Sequence, residues 1–75
     1  MKISARNVVK GKVKAITRGS VNSEVVIEVA DGIEIVSIVT VRAIDDLELK
    51  VGQDAYAVFE ASNTMVAISH HKRGE

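Results

Sequence analysis

Apolar and polar residues alternate with a period of two along much of this chain, and this pattern constrains the fold more than any other feature. The first alternating segment runs from about Ser4 to Thr17. Its small and apolar members are Val9, Gly11, Val13 and Ala15, and its polar members are Lys10, Lys12 and Lys14. Because successive side chains of a strand point to opposite faces of a sheet, this segment is predicted to be a strand with one polar face.

Four more strands are predicted, at about 21–29, 33–41, 54–59 and 65–68. Asp31-Gly32 favours a tight hairpin turn between the second and third strands, since such turns need positive φ angles. After Val41 the apolar residues take helical spacing over 43–47, which predicts one short helix between strands 3 and 4. This order of elements is typical of an all-β, five-stranded OB-type barrel, with an SH3-like barrel as the alternative.

The third predicted strand is apolar on both faces. One face holds Ile33, Ile35, Val39 and Val41, and the other holds Val36 and Ile38. A domain of this size has no second layer of its own chain to cover both faces of a strand. We therefore expect the chain to form a homo-oligomer.

The composition narrows the class of protein. The chain has 75 residues, of which 47% are hydrophobic, and this suits one small globular domain. It has no cysteine, so disulfides and thiolate metal sites are excluded, and no apolar run approaches the roughly 20 residues of a membrane span. A cytoplasmic protein without a membrane partner is expected. Ten basic and ten acidic residues give a net charge of zero, which provides no general attraction to nucleic acid.

The opening Ser4-Ala5-Arg6-Asn7 suggests a site for a small oxyanion. Ser4 and Arg6 are two positions apart on an extended segment, so their side chains point the same way and can share one anion. Nothing comparable indicates catalysis, because the chain lacks a nucleophile, base and acid in ordered segments and a glycine-rich phosphate loop. The protein is therefore predicted not to be an enzyme.

Several segments together resemble the Mop family, the molbindins, which are small cytoplasmic proteins with a single molybdate-binding OB-type (TOBE-like) domain. These segments are Ser4-Ala5-Arg6-Asn7, Gly11-Lys12-Val13, 21–29, 37–40, Leu47 and Met65-Val66. The resemblance extends over about residues 2–68. It implies that residues 1–69 form the oxyanion-binding domain, and residues 70–75 are expected to be a flexible polar tail.

The resemblance also implies a function and a set of site residues. It implies a hexamer, a trimer of dimers with exchanged strands, that binds molybdate or tungstate between subunits for intracellular storage or homeostasis. Ser4 and Arg6 would contact the anion, Thr40 would add a hydroxyl from a neighbouring subunit, and the backbone near Ala61 would add N–H donors. These side chains are too few for four anion oxygens, which favours a site at an interface.

Two positions depart from the family pattern. Glu60 stands where a lysine is usual, and Ala43 stands where a serine is often present. A carboxylate near a dianion repels it. Either the site is weakened, or Glu60 faces away and Lys2, Lys10 or Lys12 supplies the missing positive charge.

Other interpretations remain open from the sequence. Arg6 can simply pair with Glu24, Glu28 or Glu34, the lysine row can be a solvent-exposed strand face, and Asp45, Asp46 and Glu48 can be a solvated helical face. His70-His71 fits a solvated tail better than a metal site, because no third ligand accompanies the pair. The alternatives to oxyanion binding are a structural oligomeric module and a single-stranded nucleic-acid-binding OB domain. The last is disfavoured because alternation puts Tyr56 and Phe59 on opposite faces of one strand.

Overall fold

The computed structural model describes residues 4–69 as one curled, four-stranded antiparallel sheet with a short helix. The elements in chain order are β1 (Asn7–Arg18), β2 (Asn22–Ala30), β3 (Ile33–Thr40), α1 (Val41–Leu47), β4 (Asp54–Phe59) and a 3₁₀ turn (Ala61–Asn63). The order of strands across the sheet is β3-β2-β1-β4, so the last strand returns to pair with the first. The sheet is an OB-like half-barrel, and the predicted all-β class with a helix between strands 3 and 4 is confirmed.

The long strand β1 curls because its pairing with β2 is irregular. The register shifts between Val13 and Ala15, so that Lys14 is an extra residue in β1, and such bulges bend a strand. Before the bulge, β1 and β2 approach closely at Gly11. A Cβ at this position would lie 2.5 Å from the carbonyl oxygen of Glu28, so only glycine permits the close approach of β1 and β2.

A small aliphatic core fills the concave face of the sheet. Among the described residues, the buried apolar side chains are Val13, Val25, Ile27, Ile44 and Ala57. Ile44 comes from α1, which packs across the end of the half-barrel. Thr40 caps this helix by accepting a hydrogen bond from the N–H of Ala43 at 3.0 Å, and Glu48 ends it in the left-handed region at φ 52°. The helix is therefore fixed at both ends and by its buried isoleucine.

The predicted fifth strand is wrong for the single chain. Residues 65–68 form no strand, and Met65, Val66 and Ile68 are 92%, 91% and 84% exposed. In the described part of the chain, β3 and β4 are the free edges of the sheet, and residues 65–68 pair with neither. An alternating sequence forms a strand only where another strand offers hydrogen bonds, and residues 4–69 do not bring one to this segment.

The two-sided apolar character of β3 is confirmed. Ile35 and Val39 are half-buried and pack against the core. Val36 and Ile38 point to the convex face and are 57% and 65% exposed. The convex face of this edge strand thus presents aliphatic side chains to solvent.

Candidate anion-binding site

Two of the predicted site residues lie just beyond the end of the ladder between β1 and β4. The antiparallel ladder runs from the pair Lys12 and Asp54 to the pair Asn7 and Phe59. Continuing the register by one residue on each strand places Arg6 beside Glu60. We call the residues that follow this last pair, 4–6 and 60–62, the Arg6 end of the ladder; the side chains of Ser4, Arg6 and Glu60 are exposed there.

Backbone donors are also available at the Arg6 end. The 3₁₀ turn uses the N–H groups of Asn63 and Thr64, which donate to the carbonyl oxygens of Glu60 and Ala61 at 3.0 and 3.3 Å. The N–H groups of Ala61 and Ser62, at the start of the turn, are not used within it. Ser62, within this turn, also has an exposed side-chain hydroxyl. Sequence reasoning missed Ser62, because only the pairing of β4 with β1 brings the turn to this end of the sheet.

Thr40 lies at the opposite end of the sheet. It pairs with Asn22 in β2, and the next residue of β2, Ser23, pairs with Arg18 at the far end of β1. The Thr40 hydroxyl oxygen accepts the helix-capping bond, so its own O–H remains able to donate to a ligand. Ala43 has no side-chain donor, and its backbone N–H is used in this helix cap.

The distance between the two groups excludes a site within one chain. Asn7 and Arg18 are eleven residue steps apart in β1, so the path along the strand between them is at most about 36 Å at 3.3 Å per residue. Arg6 precedes this strand and Thr40 lies across β2 from its far end, so the length of β1 stands between the two groups. A ligand that contacts both Arg6 and Thr40 must therefore lie between two copies of the chain.

The lysine row is an exposed, ion-paired strand face. Lys12 donates a hydrogen bond to Asp54 at 2.6 Å, and Lys10 lies 3.9 Å from the same carboxylate. The hydrogen bond and the charge of Lys12, with the charge of Lys10, lower the pKa of Asp54. Lys14 donates to Glu34, and this bond and the carboxylate charge raise the pKa of Lys14. Lys10 and Lys12 are thus paired at the Asp54 end of the β1–β4 ladder, and Lys14 is paired with a carboxylate on β3.

Arg6 makes no such pair within residues 4–69. The interpretation in which it pairs with Glu24, Glu28 or Glu34 is wrong, because the ion pairs of this region do not include it. Glu34 pairs instead with Lys14. Arg6 and Glu60 also remain beyond ion-pairing distance of one another in this region. Arg6 is thus exposed, two residues after Ser4 in the segment that precedes β1, and without a carboxylate partner in the described part of the chain.

The structure also tests the sequence hypotheses about the acidic helical face, a metal site and the two aromatic side chains. Asp45 and Asp46 form an exposed helical face, paired with Arg18 at 2.9 Å and Arg42 at 3.7 Å. Residues 4–69 contain no group of three metal-ligating side chains. Tyr56 is 48% exposed on the convex face and Phe59 is half-buried on the concave face, as alternation predicted.

Two parts of the sequence hypothesis lie outside the described residues, namely Lys2 and the tail 70–75 with its His70-His71 pair. Within the described range, no helix is both long and apolar enough to cross a membrane.

Comparison with known proteins agrees with this geometry. The model of the TOBE domain matches residues 3–66. The chain is 47% identical over 68 residues to a protein named "Probable molybdenum-pterin-binding protein" from Haemophilus influenzae, covering 91% of this chain and 99% of that one. The match therefore spans both the Arg6 end and Thr40.

Solved structures agree in fold as well as in sequence. A molybdate-binding protein from Sporomusa ovata matches with a TM-score of 0.84 and 34% identity, over 91% of this chain and 100% of its own. The cytoplasmic molybdate-binding protein ModG, solved with molybdate bound, matches with a TM-score of 0.79 and 48% identity, over 84% of this chain and 45% of its own. This chain belongs to the TOBE domain family, in the molbindin (Mop) group that its opening residues resemble.

Proposed function

We propose that this chain binds molybdate, or the equally shaped tungstate, at junctions between copies of itself, as an intracellular store of the oxyanion. The observation that carries the proposal is the placement of the donors at opposite ends of the sheet. Ser4 and Arg6 lie at one end of the long strand β1, and Thr40 lies across β2 from its other end. The relatives whose names and structures refer to molybdate supply the identity of the anion.

The chemistry of the two ends is complementary to a tetrahedral dianion. Such an anion exchanges a strong hydration shell for fixed donors, and positive charge must offset its burial. Arg6 provides the charge and two parallel N–H donors, and Ser4 adds an O–H. The free N–H groups of Ala61 and Ser62 add backbone donors. Thr40 from a second copy supplies a further O–H, so the four oxygens find partners without another charged side chain.

The proposed assembly is a hexamer built as a trimer of dimers, located in the cytoplasm. It is supported by two groups of aliphatic side chains that a single chain leaves exposed. One group is Val36 and Ile38 on the convex face of β3, and the other is Met65, Val66 and Ile68, which follow the opposite edge strand β4 and the 3₁₀ turn. Exposed aliphatic groups of this kind mark interaction surfaces, and closed symmetric homo-oligomers are a common way to cover them.

Binding rather than catalysis is proposed because the polar groups at both ends, apart from the Glu60 carboxylate, are hydrogen-bond donors. Within the described residues, neither the Ser4 nor the Thr40 hydroxyl donates to a carboxylate or imidazole that would activate it as a nucleophile. Selectivity against sulfate would follow from size. In a cavity whose hydrogen-bond donors are fixed on two copies of the chain, the smaller sulfate ion cannot reach all of the donors. Donors left without an acceptor make the binding free energy less favourable.

Native mass spectrometry of the protein, titrated with molybdate and in parallel with sulfate, tests the proposal. A hexamer that gains a fixed number of molybdates and ignores sulfate is the expected result. A hexamer that takes up neither anion would replace the proposal with a purely structural module. A monomer that binds molybdate would contradict the inter-subunit site directly, since one chain cannot bring Arg6 and Thr40 together.

A further inference from the structure

The convex face of the β1–β4 ladder carries a row of cross-strand pairs with a carboxylate beside a cation at each end. Within the ladder, Lys12 faces Asp54, Lys10 faces Tyr56, and Val8 faces Val58. Alternation places Arg6 and Glu60 next in the same row, one residue beyond the last bridging pair. By register, Arg6 and Glu60 are thus cross-strand neighbours at one end of the row, as Lys12 and Asp54 are at the other.

The two carboxylates differ in what they contact. Asp54 accepts a hydrogen bond from Lys12 at 2.6 Å. Glu60 makes no side-chain hydrogen bond at the start of the 3₁₀ turn, although its carbonyl oxygen accepts from Asn63 N–H and Thr64 Oγ1, both at 3.0 Å. The backbone of Glu60 is therefore fixed by the turn directly after the ladder, while its exposed carboxylate remains unengaged by the described residues.

We propose that Glu60 is a built-in competitor of the bound anion, a residue that weakens the site for dianions through its charge. This inference rests on the proposed function and concerns the same site. The Arg6 end has one positive and one negative side chain, so an arriving dianion meets a net neutral environment. Because Coulomb repulsion is proportional to the product of the charges, Glu60 disfavours an anion of charge −2 twice as strongly as one of charge −1.

The consequence is a site that holds its ligand weakly. The donors of Ser4, Arg6 and the turn fix the orientation of the anion, while the neighbouring carboxylate lowers its affinity. Because Glu60 is exposed, its repulsion slows the association of the dianion and makes binding depend on ionic strength. The protein then acts as an exchangeable reservoir of the oxyanion.

Isothermal titration of Glu60→Gln with two ligands tests the inference. Molybdate is the dianion, and perrhenate is a tetrahedral oxyanion with a single charge. Removing the carboxylate is expected to tighten molybdate binding about tenfold, and perrhenate binding by the square root of that factor, about threefold. Asp54→Asn is the matched control, since it removes a carboxylate from the same face about 20 Å along β4, beyond the screening distance of about 8 Å.

The outcomes separate this inference from the proposed function. Molybdate affinity that rises in Glu60→Gln, rises less for perrhenate and is unchanged in Asp54→Asn supports the inference. Equal tightening of both anions would overturn it, because the effect would then not come from charge. A wild type that binds molybdate with the same affinity as Glu60→Gln also overturns it, yet leaves the function intact. Failure of wild type, Glu60→Gln and Glu60→Lys to bind molybdate would reject the function itself.

Discussion

Each end of the β1–β4 ladder carries a positively charged side chain and a carboxylate, but the two form an ion pair at only one end. At one end the cation is satisfied, because Lys12 donates to Asp54 and Lys10 lies near the same carboxylate. At the other end Arg6 makes no ion pair within the described residues, although Glu60 is its neighbour by register. Beside Arg6, the 3₁₀ turn also leaves the N–H groups of Ala61 and Ser62 without an acceptor within the turn.

This difference separates a structural pair from a recognition site. A lysine and an aspartate on an exposed strand face satisfy one another and keep the edge of the sheet soluble. An arginine placed beside hydroxyl and amide donors presents a planar fork that matches an oxyanion in shape. A positively charged side chain on a strand is therefore a poor indicator of an anion-binding site. Whether that side chain already has an ion-pair partner is a better indicator.

The largest effect that tests the comparison is the loss of binding in Arg6→Ala. Removing a charged hydrogen-bond donor costs about 1.5–3 kcal/mol, so molybdate affinity should fall about 10- to 150-fold in a calorimetric titration. Lys12→Ala removes one positive charge from the same face and should leave the affinity within about twofold, because it lies beyond the screening distance from the Arg6 end. Equal losses in both variants would mean that general positive charge, and not the Arg6 end, attracts the anion.

Complementation between variants tests whether the distant Thr40 completes the site. Arg6→Ala and Thr40→Val each remove a donor from a different end of the sheet, so each variant alone is expected to bind molybdate poorly. In hexamers co-expressed from both variants, some junctions combine an intact Arg6 from one copy with an intact Thr40 from another. Native mass spectrometry should then detect molybdate on mixed hexamers. No recovery in mixed hexamers would place both residues of a site on the same copy.

Most of the fold was predictable because alternation, turns and helical spacing are local signals. The hairpin at Asp31-Gly32 and the helix after Thr40 are present as predicted. Each depends on residues next to one another in the sequence, which determine the turn and the helix cap. The fifth strand was predicted by the same alternation and is absent from residues 65–68. Strand formation depends on a partner edge, and a local pattern contains no information on whether the same chain supplies that edge.

The candidate site was only partly predictable from the sequence. The spacing of Ser4 and Arg6 places both on one side of an extended segment, and this much follows from strand geometry. The proximity of Glu60 to Arg6 required the register of β1 against β4, which brings together residues far apart in the sequence. The separation of Thr40 likewise depends on the strand order, so sequence alone could not decide how many copies a site needs.

A smaller effect distinguishes the two hydroxyl groups of the proposed site. Thr40 caps α1 through its hydrogen bond with Ala43 N–H, so Thr40→Val should lower the free energy of unfolding by about 1 kcal/mol in addition to weakening binding. For a domain of this size that corresponds to a decrease in melting temperature of about 4–8 °C. Thr40→Ser should retain the cap. Ser4→Ala removes an exposed hydroxyl beyond the ladder and should leave the melting temperature of the ligand-free protein unchanged.

The smallest expected effect is the pH dependence of the paired end. Lys12 and Lys10 lower the pKa of Asp54 in the folded protein, so this carboxyl stabilises the fold above its ordinary pKa of 3.8, and the contribution disappears as the pH falls through the lower folded value. Melting temperatures of wild type and Asp54→Asn should therefore differ slightly at pH 6 and converge in strong acid. Melting temperatures that stayed apart in strong acid, or that were already equal at pH 6, would mean that the ion pair of Asp54 with Lys12 and Lys10 does not stabilise the fold in solution.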